Sequence, residues 1–174
     1  AQLGWTGSWP EVIVAIDVRG SAGADRRVLD EVRAMLEPYR RIGHDVRVVA
    51  ARYVPLDVAL QVCAKPGYQR AHVLAALLAR LGPGTGPDGA PGFFHPDNLS
   101  FGQGVHLSAL VAAAQGVEGV LGLMPVRFQR LHHLPEGEME AGVLPLGPLE
   151  VARLDSDPNA PDNGVLTLEL AGGR

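Results

Sequence analysis

Residues 25–43 carry the sequence signal that constrains the fold most strongly, an amphipathic helix bounded by its own capping residues. Asp25 is placed to cap the helix N-terminus, and Gly43 lies where a C-terminal cap belongs. A short β-branched run, Glu11–Val18, precedes the helix, with turn residues at Gly20–Gly23 between them. Such a run is typical of a strand buried on both faces, so the chain begins with a strand and a helix. The helix has apolar residues at helical spacing that predict its buried side: Val28, Leu29, Val32, Met35, Leu36 and Tyr39.

Alternating and helical patterns continue the same order along the rest of the chain. Strands are predicted at Val46–Ala50, Leu56–Cys63, Val117–Phe128, Leu149–Leu154 and Val165–Leu170, and helices at Gln69–Leu81 and Val105–Gln115. The inner side of the first of these helices is expected to be Val73, Leu74, Leu77, Leu78 and Leu81. Cys63 is interpreted as a small buried hydrophobic residue of its strand. Because Asn163-Gly164 is a favoured hairpin dipeptide, the last two strands are expected to form a β-hairpin.

This order of elements predicts an α+β fold, with two small α/β units whose sheets are mixed or antiparallel and whose helices pack on one face. The N-terminal β-α-β-β unit spans residues 1–66. Residues 67–174 form a second unit of helix, loop, helix and strand with the C-terminal hairpin, and the two units could also form one compact domain. Two Gly/Pro-rich stretches, 82–104 and 134–148, interrupt the pattern. Irregular loops of this length are uncommon unless they have a function.

The composition excludes several classes of partner. The net charge is −4 and the arginines are scattered, so no basic footprint for nucleic acid is present. Lys65 is the only lysine, and arginine suits fixed protein–protein contacts better than lysine does. Cys63 is the only cysteine, which excludes an intramolecular disulfide and fits a reducing cytosol. No apolar run is long enough to span a bilayer. The chain begins without Met, and we expect it to be a segment of a longer protein.

One acidic segment resembles the start of a calcium-binding loop. Asp155, Asp157 and Asn159 have the correct spacing, but the sixth and twelfth positions are Ala160 and Leu166 instead of Gly and an acidic ligand. The segment is therefore interpreted as a polar turn between two strands.

The histidines do not form a recognisable metal or catalytic motif. His132 and His133 are adjacent, so on a strand their rings would point to opposite faces. His95 and His106 could meet only through the fold, and a deep pocket uniting them with Asp97 would favour an enzyme. No serine has a nucleophile-elbow context. The chain is therefore expected to be neither an enzyme nor a protein with a bound metal or cofactor.

Aromatic residues are few but concentrated in irregular segments. The candidate interface residues are Trp5, Trp9, Phe93, Phe94 and Phe101. Aromatics in loops either fix the loop to the core or meet a partner, and at least one of these is expected to anchor an interface. The loop from Phe93 to Phe101 is expected to be ordered and to pack on the second and third helices. The alternative function is a peptide- or glycan-binding module that uses an exposed aromatic groove along residues 92–103.

The chain resembles the J-like phage baseplate proteins, in the branch called putative baseplate assembly proteins. The resemblance covers nearly the whole chain in the family's order, and its most specific segments are Gly92–Asn98 and Phe101–Gln103. The other segments that carry it are Trp5–Trp9, Arg52–Leu56, Cys63–Tyr68, Val117–Val120, Arg127–Arg130, Gly142–Gly147, Ala152–Asp155, Pro158-Asn159, Gly164 and Gly172-Gly173. The chain is similar to the C-terminal part of the longer family protein.

The resemblance implies a wedge component of the baseplate in contractile tails and related injection systems. Its partners would be other baseplate subunits, neighbouring copies in a ring around the hub, and the sheath. The isolated domain is expected to be monomeric, because ring contacts are individually modest. Such a protein would be cytoplasmic during assembly and then part of a phage or phage-tail-like particle.

Overall fold

A computed structural model of the chain describes residues 1–18 and 23–174, which form nine β-strands and four α-helices. The strands are β1 (Gln2–Trp5), β2 (Pro10–Ile16), β3 (Asp45–Ala50), β4 (Arg52–Ala64), β5 (Val105–His106), β6 (Val120–Arg130), β7 (Val143–Leu144), β8 (Glu150–Arg153) and β9 (Val165–Gly172). The helices are α1 (Arg26–Leu36), α2 (Arg70–Leu81), α3 (Leu107–Gln115) and α4 (Glu138–Ala141). Short 3-10 helices occupy Glu37–Tyr39, Pro96–Asn98 and Pro161–Asn163. Within these described ranges, no helix has the length and apolar character that crossing a bilayer requires.

The first sheet has the strand order β1-β2-β3. β2 is antiparallel to β1 and parallel to β3, and α1 forms the connection between the parallel strands and packs on β3. The predicted strand at 11–18 is confirmed as β2, but its expected full burial is wrong, since all seven residues are only half-buried. The predicted turn at 20–23 falls mostly on residues 19–22, which lie outside the described residues.

The beginning of α1 confirms the capping prediction. The Asp25 carboxylate accepts a hydrogen bond from the Val28 N–H at 2.9 Å, which satisfies one of the amides that a helix N-terminus leaves unpaired. Val28, Leu29, Val32 and Leu36 are half-buried and form the inner side of the helix.

The end of α1 differs from the prediction. The helix stops at Leu36 and tightens into the 3-10 turn that contains Pro38, so Gly43 lies in the turn before β3 and caps no helix. Met35 and Tyr39, predicted on the buried side, are 71% and 86% exposed. Their spacing continues the apolar stripe, so helical spacing alone does not decide which residues of the stripe are covered.

The second sheet is built around β4, which is thirteen residues long. β6 pairs with β4 in antiparallel orientation, while β8 and β9 pair with successive parts of it in parallel. Both sheets are thus mixed, and together with the helices they confirm the α+β class. The predicted alternation is confirmed on the inner face of β4, where Leu56, Val58, Leu60 and Val62 are fully buried. Cys63 points to the opposite face and is exposed, so its interpretation as a buried residue is wrong.

The expected C-terminal hairpin does not form. The register pairs Arg52–Pro55 of β4 with β8, and Asp57–Ala64 of β4 with β9. The Asn163-Gly164 dipeptide ends a 3-10 turn and leads β9 alongside β4 instead of back onto β8. Burial of Leu166 in the main core outweighs the local turn preference here.

The second sheet and its core begin at β4, and the predicted division into units at residue 66 stays a prediction. β4 makes its strand pairings with β6, β8 and β9, all from the later part of the sequence. The main core begins at Val54 and includes residues of α2 and α3, but it contains none from the first sheet. We therefore call residues 1–50 the N-terminal unit and residues 51–174 the C-terminal unit.

α2 and α3 supply the helical layer of the C-terminal unit. Val73, Leu77 and Leu81 of α2 are fully buried, as are Leu110 and Ala114 of α3. Leu78, predicted on the inner side of α2, is largely exposed. The two helices contact each other, α2 contacts β9, and α3 contacts β6. The short strands β5 and β7 pair beside α4 and join the two Gly/Pro-rich stretches.

Candidate interaction surface

The segment Trp5–Trp9 forms a tight turn that joins β1 and β2. The Thr6 hydroxyl accepts hydrogen bonds from the backbone N–H groups of Ser8 and Trp9 and donates one to the Trp9 carbonyl. Gly7 has φ +98°, a conformation that a side chain would strain. The turn therefore holds both tryptophans at one end of the first sheet.

Both tryptophans present apolar surface to solvent. Trp5 is 66% exposed and Trp9 is 50% exposed. Trp9 is fixed by its ring nitrogen, which donates to the Asp45 carboxylate on β3 at 2.6 Å. A tryptophan held rigidly at the surface loses little conformational freedom on binding, which is a common property of interface anchors.

The rest of the N-terminal unit adds to this apolar surface. Among residues 1–18 and 23–50, no side chain is fully buried. Leu3, Met35, Tyr39 and Ile42 are largely exposed in addition to the tryptophans. Sequence reasoning missed these four as surface residues. The exposure of Ile42 could have been predicted from its position next to the turn residue Gly43.

The loop after α2 places its aromatic residues differently. Phe94 is 1% exposed and belongs to the same core cluster as Leu77, Leu81 and Leu110. Phe93 is half-buried and meets Phe94 edge to face, with 4.9 Å between ring centroids. These two candidate interface residues therefore hold the loop against the core and do not form an exposed aromatic groove.

Backbone hydrogen bonds fix this loop to the end of α2. The N–H groups of Phe93 and Phe94 donate to the carbonyls of Arg80 and Leu81, and the Asn98 side-chain amide donates to the Gly92 carbonyl. The predicted packing of the loop on the second helix is confirmed, and its packing on the third helix stays a prediction. Phe101, the last candidate, is half-buried. The backbone N–H of its neighbour Gly102 donates a hydrogen bond to the carbonyl of Glu150, the first residue of β8.

His95, one of the residues considered for a metal or catalytic site, stabilises the local structure of its loop. The His95 ring nitrogen Nδ1 accepts from the Asp97 N–H, which caps the 3-10 turn at Pro96–Asn98. His106 is exposed at the start of α3. Among the described residues, no group of three or more His, Cys, Asp or Glu side chains could hold a metal ion.

The acidic segment after β8 forms the local turn predicted for it. Asp155 is paired with Arg153 at 2.6 Å, and the Asp157 carboxylate accepts from the Asn159 N–H at 2.8 Å. His132 and His133 lie in a turn after β6 and not on a strand. The His132 ring lies 3.4 Å from the Asp162 carboxylate.

A second apolar surface lies on β6, at the edge of the second sheet. Leu121, Met124 and Val126 are more than half exposed. The pairing of β6 with β4 is irregular beside Leu121 and Val126, where the register shifts. Pro125, which lies between Met124 and Val126, has no N–H group to donate. A proline at this position disfavours addition of another strand along this edge.

Tyr53 forms a contact between the two units. Its hydroxyl donates to the Asp17 carboxylate at 2.5 Å, and the Arg153 guanidinium lies over its ring at 5.2 Å. Burial, followed by the hydrogen bond to Asp17 and the charge of Asp17, raises the pKa of Tyr53 to about 12. The folded chain therefore favours the neutral phenol.

This pKa shift makes the stability depend on alkaline pH. An unfolded tyrosine ionises near pH 10.0, whereas folded Tyr53 ionises near 12. We expect the free energy of unfolding to fall as the pH rises between these values, because the unfolded state loses its proton first. Tyr53→Phe should show a shallower decline in urea unfolding measured across this range. Tyr68, whose pKa is also raised, remains in both proteins and cancels in the comparison. Equal slopes for the two proteins would show that the Tyr53–Asp17 contact is not made in solution.

No protein-family model matches this chain, and no curated protein matches its sequence significantly.

Proposed function

We propose that this chain is a structural subunit that acts by assembly with other proteins, as a wedge component of a contractile, phage-tail-like baseplate. The observation that carries the proposal is the N-terminal unit, which buries no described side chain fully while it holds Trp5 and Trp9 at the surface. A unit of this kind is only marginally stable unless another surface covers it. Neighbouring subunits in a ring would supply that surface.

The segments that resemble the baseplate family have structural roles here. In Gly92–Asn98, the glycine permits close approach of the backbone, Phe94 fills the core and Phe93 packs against it. In Val117–Val120, a Cβ on Gly119 would lie 2.6 Å from the Tyr68 ring. These contacts explain why a family of structural proteins would share such residues, and they support assembly over catalysis.

The alternative, a peptide- or glycan-binding module that uses residues 92–103, receives less support. Its binding surface would need exposed rings along that loop, whereas Phe94 is in the core and Phe93 is packed against it. The exposed tryptophans lie on the other unit.

Replacing the Trp5 side chain with alanine tests whether the exposed tryptophans form an interface. Trp5→Ala should change the free energy of unfolding by no more than ~0.5 kcal/mol, since the ring is mostly exposed. The same change should weaken binding to a partner subunit by ~2 kcal/mol, as expected for a buried interface anchor. Denaturant unfolding and a pull-down with the tagged variant measure the two effects. Leu134→Ala is the control, because Leu134 is also a mostly exposed apolar side chain but lies in the C-terminal unit.

The whole proposal is tested by purifying the protein from its native cells and identifying the proteins that copurify with it by mass spectrometry. Recovery of sheath, tube and other baseplate subunits is the expected result. If none of them is recovered from cells that express the particle, the baseplate assignment is wrong. If they are recovered equally with Trp5→Ala, the assignment stands, but this surface is not the interface.

A further inference from the structure

A cavity of about 340 Å³ opens beside α4, where the second Gly/Pro-rich stretch folds against the end of β6. Its lining includes the apolar residues Ala141, Val143 and Pro145. It also includes the carboxylates Glu136 and Glu138. The volume is at the lower end of the range for ligand pockets, which suits a single side chain better than a cofactor.

Glu138 is the unusual member of this lining. It is only 6% exposed, although carboxylates are almost never buried without a compensating partner. Its one hydrogen bond comes from the backbone N–H of Glu136, at 2.7 Å, to the Oε2 oxygen. No cationic side chain of the described residues forms an ion pair with it. A nine-tenths buried carboxylate thus borders the cavity without an ion pair among the described residues.

Arg130 also lines the cavity, but its charge is committed elsewhere. Its guanidinium donates to both oxygens of Glu150, at 2.9 and 3.4 Å, and to the Pro145 carbonyl at 2.9 Å. The hydrogen bond from Arg130 is the main cause that holds the pKa of Glu150 below its usual value. Arg52, which also contacts Glu150, does not line the cavity. Among the described residues, Glu136 and Glu138 are therefore carboxylates of the lining that Arg130 does not pair with.

We propose that this cavity binds an arginine side chain presented by another polypeptide, with its guanidinium at Glu138 and its aliphatic stem against Ala141, Val143 and Pro145. An amphipathic side chain matches a cavity whose lining combines apolar residues with carboxylates. Arginine suits the site better than lysine, because a planar guanidinium is less strongly hydrated and gives up its water more easily. The cavity binds such a group whether or not the chain belongs to a baseplate.

The test is an amide-shift titration of the 174-residue chain with N-acetyl-arginine amide. The citrulline analogue, which has nearly the same shape without the charge, is the matched probe. We expect the arginine probe to shift the amide signals of His133, Glu136 and Gly137, with a dissociation constant in the millimolar range, and the citrulline probe to leave them unchanged. The lysine analogue should bind more weakly than arginine.

Two variants locate the binding group. Glu138→Gln keeps an oxygen for the Glu136 N–H but removes the charge, and it should weaken arginine binding about tenfold. Glu140→Gln removes the same charge from the same helix outside the cavity lining, and it should bind as the unaltered chain does. Equal binding of arginine and citrulline, no binding of either, or equal losses in both variants would overturn the proposal. If Glu138→Gln lowers the thermal stability, the arginine and citrulline comparison on the unaltered chain decides the question alone.

Discussion

Gly92→Ala is expected to destabilise the chain by at least ~3 kcal/mol, because the added methyl group has no space. A Cβ on Gly92 would lie 2.1 Å from the Gly82 carbonyl oxygen and 3.1 Å from that of Gly84. Both contacts are with backbone, so relief requires the loop to move away from the end of α2. That movement would break the hydrogen bonds that dock Phe93 and Phe94 on the helix.

Chemical denaturation of the purified chain measures this loss, and the melting temperature should fall by about 6 °C or more. Gly84→Ala is the control from the same loop. Nothing lies within 4 Å of a Cβ at Gly84, so its stability should change by no more than ~0.5 kcal/mol. If Gly92→Ala were as stable as Gly84→Ala, the approach of the two loop segments would be looser in solution than described.

Phe94→Ala is expected to cost ~4 kcal/mol, since it empties a fully buried aromatic site. The loss includes the edge-to-face contact with Phe93 and the packing against the α2 and α3 residues of the core cluster. Phe101→Ala, the same truncation at a half-buried position of the same loop, should cost clearly less. Urea unfolding of the three proteins gives the comparison.

The effect of Phe94→Ala also distinguishes a role of Phe94 in the core from a role in an interface. A core residue affects stability whether or not a partner is present. An interface anchor affects partner binding and leaves the isolated chain nearly as stable as before. A stable Phe94→Ala variant that fails to bind baseplate subunits would therefore restore the role suggested by the sequence.

Local chemistry was enough to predict several elements of this fold. The Asp25 cap and the inner residues of α1 follow from helical spacing and hydrogen-bonding preference within a few residues. The inner face of β4 follows from alternation over a short window. The same alternation places Cys63 on the outer face with Gln61, and only the general tendency of cysteine to be buried argued otherwise.

The errors come from contacts that no local window contains. Met35 and Leu78 have helical spacing on the apolar stripe, but spacing cannot tell how far the neighbouring sheet extends. The hairpin expected at Asn163-Gly164 gave way to pairing of β9 with β4, which lies far away in sequence.

The candidate interface residues also show what local sequence can predict and what depends on contacts distant in sequence. Trp5 and Phe94 share one sequence signal, an aromatic residue in an irregular segment, yet one is exposed and the other is in the core. What separates them is whether a helix layer lies beside the segment. The Glu138 cavity was beyond sequence reasoning, since its charge balance depends on Arg130 of β6 meeting Glu150 of β8.

The parallel pairing of β4 with β8 and β9 has a consequence for biosynthesis. β4 is made early, but the strands that complete its pairing leave the ribosome only after α2, α3 and β6. Until then the nascent chain exposes unpaired amide and carbonyl groups along an apolar strand, which is the kind of edge that chaperones bind and that aggregates form on. Closing such a long stretch of chain also makes folding slow. We therefore expect the yield of folded protein in cells to fall when the interval between synthesis of β4 and synthesis of β9 is lengthened.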